Sequence, residues 1–151
     1  MRILLAQRRD LPAEIRNTPA RDPDAEVVKA VAPHPGLSET RLRAMADRHG
    51  ARVVAKVAAN PDTTPAPLEH LARHRPPMRK ALREIARHHH ATAPVLLACL
   101  TDRQARPIAA GHKALLPTTV VELLAEDNRH VVEAASANPS LPPAPILELV
   151  P

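Results

Sequence analysis

Three adjacent histidines, His88-His89-His90, and a pair four residues apart, His70 and His74, are the groups in this 151-residue chain whose types first suggest chemistry. A metal site needs imidazoles that converge on one ion. Consecutive helical residues point about 100° apart, so three neighbours do not converge. The triplet falls where a helix is expected to end, in company with His34 and His112, and predicts partly exposed corner residues. His70 and His74 have a two-ligand helical spacing. However, the order Glu69-His70-x-x-x-His74 is not the metalloprotease arrangement, and no third ligand stands out. The single cysteine, Cys99, lies in Leu96-Leu97-Ala98-Cys99-Leu100 and predicts a buried, unreactive thiol. One cysteine excludes an internal disulfide and a multi-cysteine cluster. With only Gly36, Gly50 and Gly111, there is no glycine-rich phosphate loop, and neither a nucleophile elbow nor an acid pair is found. The sequence therefore assigns no catalytic, cofactor-binding or metal site and predicts no enzyme.

The basic residues carry a stronger pattern. In Arg79-Lys80-x-x-Arg83-x-x-x-Arg87, the helical positions Ala81, Leu82 and Ile85 define an inward face, and the four cations fall on the opposite side. Aligned by sequence period, Lys80 matches Arg52 and Arg103, and Arg83 matches Arg106. These seven residues predict a basic ladder, bounded by Glu26 and Glu133 in the same columns. Net charge is +5, with 20 of the 21 Lys/Arg in residues 1–113 and five of the 16 acids after them. Such a surface would hold an acidic protein segment or phosphates.

The elements that must position these residues come from a repeat. Val57-Ala58-Ala59-Asn60-Pro61 is echoed by Ala135-Ser136-Ala137-Asn138-Pro139 and Val31-Ala32-Pro33-His34-Pro35, with looser copies starting at 5, 85 and 108. The starts lie 23 to 28 residues apart and six copies fill the chain. Before each corner, apolar columns run Val27, Val53, Ala81, Gln104, Val131, then Val28, Val54, Leu82, Ala105, Val132, then Val31, Val57, Ile85, Ile108, Ala135. After it, an i, i+3, i+4 pattern gives Leu42/Met45/Ala46, Leu68/Leu71/Ala72, Leu96/Cys99/Leu100, Val120/Leu123/Leu124 and Ile146/Leu149/Val150. A residue before proline is pushed out of the α region, so Asn60 and Asn138 end their helices. Pro65, Pro94, Pro117 and Pro142 suit helix starts, with Ser38 and Thr64 as N-caps. The 18 prolines against three glycines, and the absence of any Phe, Tyr or Trp, fit many short helices packed through small aliphatic side chains. One such unit buries too little to fold alone, so neighbouring copies must stack.

These phrases, above all Val57–Pro61 with Leu68-x-x-Leu71-Ala72 and the stretch from Leu124 to Pro139, resemble the leucine-rich repeat variant family over nearly the whole chain. The resemblance implies a single all-α domain over residues 1–151. Its form would be a right-handed α-solenoid of about six two-helix repeats of 23–28 residues, in which α and 3₁₀ helices alternate in two layers. HEAT-like repeats are the neighbouring class, but 26 residues is short for them. Some family members carry a cysteine cluster; this chain does not, and no shared catalytic motif transfers. The expected function is a non-enzymatic protein–protein interaction scaffold, its partner a protein with an acidic segment. The alternative is a polyanion or duplex nucleic-acid binder; single-strand binding is disfavoured because no aromatic ring exists to stack on a base. No apolar run approaches the ~18 residues of a membrane span and none at the N-terminus suits a signal peptide, so no membrane partner and a cytoplasmic location are expected. The apolar Ile146–Pro151 end predicts a homodimer through one terminus of the solenoid.

Overall fold

The computed structural model describes residues 2–8, 10, 12, 15 and 17–142, and among them every regular element is helical. The α-helices are α1 (Arg2–Ala6), α2 (Ala25–Val31), α3 (Glu39–His49), α4 (Val54–Ala58), α5 (Pro65–Ala72), α6 (Arg79–Arg87), α7 (Ala93–Cys99), α8 (Arg106–Ala110), α9 (Pro117–Leu123) and α10 (Arg129–Ser136). Short 3₁₀ turns cover Pro19–Arg21 and Gly50–Arg52. None of these helices is long and apolar enough to cross a membrane.

The helices before the corners pack on one another: α1 on α2, α4 on α6, α6 on α8 and α8 on α10. Those after the corners do likewise, α3 on α5 and α5 on α7. The expected alternation of α and 3₁₀ is not found, since both halves are α. The reason lies at the helix starts. Proline near the first turn of α5, α7 and α9 pre-sets φ and has no N–H to leave unbonded. The bonds from Leu96 N to Thr92 O and Val120 N to Leu116 O, both 3.0 Å, then close full α turns. Tighter i→i+3 bonds appear only at the far ends, as from Thr101 N to Ala98 O and from Leu124 N to Val121 O. Ser38 caps α3 by accepting from Arg41 N. Thr64 holds the N-cap position of α5, but its hydroxyl donates instead to Glu39 Oε2 at 2.8 Å.

The core is aliphatic and continuous. One wholly buried column is Val27, Val53, Ala81, Ala105 and Val131; the next is Val31, Val57, Ile85, Ala109 and Ala135. Both differ from the sequence reading at one point: Ala105 replaces Gln104, and Ala109 replaces Ile108. Gln104 is exposed and Ile108 half-buried. The start expected at 108 therefore belongs at 109, and the corner there is His112. After the corners, Leu42, Leu68, Leu96 and Val120 are all fully buried, with Met45, Leu71, Cys99 and Leu123 beside them. Ile146, Leu149 and Val150, and with them the expected dimerising end, lie outside the described residues.

Each corner is closed in the same way. The backbone N–H of His34, Asn60, His88, His112 and Asn138 bonds to the carbonyl three residues before it. The side chains of the last four then do two jobs. Each accepts the N–H two residues ahead: Asp62 to Asn60 Oδ1 (2.8 Å), His90 to His88 Nδ1 (3.0 Å), Ala114 to His112 Nδ1 (3.0 Å) and Ser140 to Asn138 Oδ1 (2.8 Å). Each also donates to the backbone of the corner before. Asn60 Nδ2 reaches Ala32 O (2.6 Å) and His34 O (2.7 Å), and Asn138 Nδ2 reaches Ala110 O (2.7 Å) and His112 O (3.0 Å). His88 Nε2 reaches Asn60 O (2.7 Å) and His112 Nε2 reaches His88 O (2.9 Å). Because Nδ1 accepts a backbone N–H, both rings are neutral with the proton on Nε2, which lets imidazole do the work of a carboxamide. The result is an unbroken ladder from residue 138 back to residue 34. His34 and His88 are buried, not partly exposed as expected; His112 and His90 are half-buried and His89 exposed.

Candidate functional site: a cationic groove

The ladder fixes how the outer faces of successive helices meet. On α6, Ala81, Leu82, Ile85 and Ala86 are buried. At 100° per residue this turns Lys80, Arg83, Glu84 and Arg87 outward. On α4, Val54, Val57 and Ala58 are buried, leaving Ala55 and Lys56 on the outside. Ala51, Ala55 and Ala59 recur every four residues, and their short side chains leave a trough. That trough is a groove of about 520 Å³ floored by the three alanines. Its walls carry Lys29, Arg52, Lys56, Lys80, Arg83 and Arg87, with Glu84 the single carboxylate among the lining residues.

Four of these cations, Arg52, Lys56, Lys80 and Arg83, form no ion pair among the described residues. Lys29 is 3.5 Å from Glu26 and Arg87 is 3.4 Å from Glu84, both within their own helices. Such exposed i, i+3 pairs hold weakly.

Of the seven residues expected to form the basic ladder, Arg52, Lys80, Arg83 and Arg87 come together here. Arg79 and Arg103 do not. They line a neighbouring cleft with Asp102, whose Oδ2 is 4.0 Å from Arg79 Nε. Arg106 is also apart, tied to the Glu126 carboxylate, with its Nε buried and unpartnered. The split follows from the corrected register. Counted back from the corner, Lys80 corresponds to Arg52 and Gln104, Arg83 to Pro107, and Arg106 to the core positions Val28, Val54 and Leu82. Lys29 and Lys56 were missed. Lys29 stands five residues before His34, as Arg83 does before His88, so extending that column by one copy would have found it. Lys56 is equivalent to Glu84, and no sequence signal marked it.

The other candidate chemistry is absorbed by structure. Cys99 is fully buried, its Sγ 3.4 Å from Leu82 O, and burial, aided by nearby Asp102, pushes the thiol up to about 12. The rings of His88, His89 and His90 do come close, with centroids 4.0–5.4 Å apart, because α6 ends at Arg87 and the triplet is not helical. Yet both nitrogens of His88 are bonded, and His90 Nδ1 lies 2.9 Å from Thr63 O. His74 Nδ1 lies 3.1 Å from Pro76 O. Among the described residues no three His, Cys, Asp or Glu gather as a metal site would require. No protein-family model, curated protein or solved structure matches the chain.

Proposed function

We infer that this chain is a non-catalytic interaction scaffold, a solenoid of leucine-rich repeat variant type, whose cationic groove receives an acidic segment of a partner protein. The groove carries the reading: six cations around one carboxylate, four of them with no partner of their own. Like charges held this close are left to be neutralised by something outside the chain. The solenoid reading is supported by corner bonds that recur every 24 to 28 residues and by helices that pack on the next helix but one.

An acidic protein segment fits better than duplex nucleic acid because the positive field is short. It spans α2, α4 and α6. Beyond α6, Asp102 faces Arg79 and Glu126 ties Arg106. Two interhelical steps of about 9 Å make roughly 20 Å, which an extended peptide covers with about six residues. The test is fluorescence anisotropy with labelled oligo-Glu/Asp peptides at low salt. Binding should weaken steeply as salt rises, and Arg52→Glu/Arg83→Glu should abolish it. Undiminished binding by that variant would remove the groove from the function.

A further inference from the structure

An apolar cleft adjoins the groove and shares its wall. About 360 Å³ in volume, it is lined by Val54, Pro76, Pro77, Met78 and Ala81, together with Ala51, Ala55 and Lys80, which line the cationic groove as well. The two are thus one continuous surface across α4 and the start of α6, oily on one side and positive on the other. Pro76 and Pro77 are exposed and Met78 is half-buried. Prolines present apolar surface that is already rigid, and methionine adapts to what lies on it.

We propose that this composite surface recognises a short linear segment in which one or two bulky aliphatic residues adjoin a run of acidic residues. The aliphatic side chain enters the Met78/Pro77 cleft, and the carboxylates lie along Lys80, Arg83, Arg52 and Lys56. Charge complementarity selects the acidic run. The shared Lys80 and Ala55 place the two recognition elements beside each other, so the anchor must be adjacent to the acids in the partner's sequence. This rests on the groove reading above and adds to it the nature of the partner. A phosphate backbone supplies the charge but nothing for the cleft, so nucleic acid satisfies only half of the surface.

The experiment uses the full chain and fluorescein-labelled twelve-residue peptides of Glu, Asp, Ser and Gly. One series carries Leu-Leu before, within or after an acidic run, and one carries no aliphatic residue. Heparin and a twelve-base-pair duplex serve as polyanions without an anchor. At about 50 mM salt, at least one Leu-bearing peptide should bind about tenfold tighter than its aliphatic-free counterpart, the gain expected when a Leu leaves water. Met78→Asp, or the fully surface-placed Pro77→Asp should Met78→Asp fail to fold, should erase that tenfold gain and leave aliphatic-free binding within twofold. If no Leu placement improves binding, or if both variants weaken all peptides equally, the composite site is overturned while the groove stands. Duplex binding tighter than every peptide overturns it in favour of nucleic acid. No binding by any probe sinks both readings.

Discussion

Replacing His88 tests whether the corner ladder holds the fold. The ring is buried and makes two bonds to backbone, Nε2 to Asn60 O at 2.7 Å and Nδ1 from His90 N at 3.0 Å. In His88→Ala, Asn60 O keeps one partner, Thr63 N at 3.1 Å, so losing its second bond costs about 1 kcal/mol, whereas the unanswered His90 N–H costs about 1–3. The expected loss is about 2–4 kcal/mol, read as a lower urea midpoint and a melting temperature reduced by roughly 5–12 °C. His88→Asn should fall between. Its Oδ1 can take over the bond from His90, but its amide nitrogen is one bond nearer the backbone than imidazole Nε2. At residues 60 and 138 asparagine spans intervals of 26 residues and reaches two carbonyls, while the histidines serve intervals of 28 and 24 and reach one. Asparagine at 88 should therefore keep the turn and lose the rung, costing about half as much as alanine. A His88→Ala protein within about 0.5 kcal/mol of the parent would refute the ladder as a source of stability.

Four further outcomes follow from the same geometry. Burial, reinforced by His89, His90 and His112 and partly opposed by the Asn60 carbonyl, holds His88 below the ordinary imidazole range. The unfolded chain then takes up the proton first, so stability should be complete above about pH 6.5 and fall as pH drops below it; urea midpoints of the parent should show this slope and those of His88→Asn should show less of it. Cys99, pushed up to about 12, should resist a disulfide-exchange reagent at pH 8 in the folded chain and react fully in 6 M guanidinium; fast labelling of the native protein would contradict its burial. Arg106→Leu places an aliphatic residue where Val28, Val54 and Leu82 stand in neighbouring intervals and removes a buried, unpartnered Nε, so thermal melts should show it neutral or stabilised by about 1 kcal/mol, a loss above 1 kcal/mol counting against the register. Asn138→Ala breaks a rung away from the groove, so anisotropy should show its acidic-peptide affinity within twofold of the parent, while His88→Ala weakens binding several-fold.

Much of the fold could be read from residue order because its strongest signals are steric. Proline after Asn60 and Asn138 ends a helix, proline near the start of the next begins one, and the Leu42, Leu68, Leu96 and Val120 column repeats at helical spacing. What could not be read was the chemical equivalence of the corners. Histidine and asparagine share no composition class, yet each offers an acceptor and a donor on one flat group, and only the bond geometry reveals the match. The same blindness displaced the fourth interval by one residue. Ile108 looked like the core residue because it is large, but the close approach of α8 to α10 favours Ala105 and Ala109, and it leaves Arg106 at a core position. Half of the basic ladder dissolved with that slip, Arg103 and Arg106 moving away from Lys80 and Arg83. The trough itself had no signature beyond three alanines, whose role is to leave room.

A core built only of Val, Leu, Ile, Ala, Met and Cys has a problem of identity, since neighbouring layers are alike and one could slide past another at little cost in buried area. The corner side chains remove that freedom. A carboxamide or imidazole satisfies its bonds only when one particular carbonyl of the preceding corner stands opposite, and a displaced layer would bury those polar groups unanswered. Polar bonds of modest net worth can thus dictate register that a larger apolar energy leaves open. The groove depends on this. Arg52 and Lys56 precede the corner at Asn60, and Lys80, Arg83 and Arg87 precede the corner at His88, so the bond between His88 and Asn60 sets the spacing across which two sets of cations face one trough. Repulsion among unpaired cations works against that spacing, and the rung opposes it.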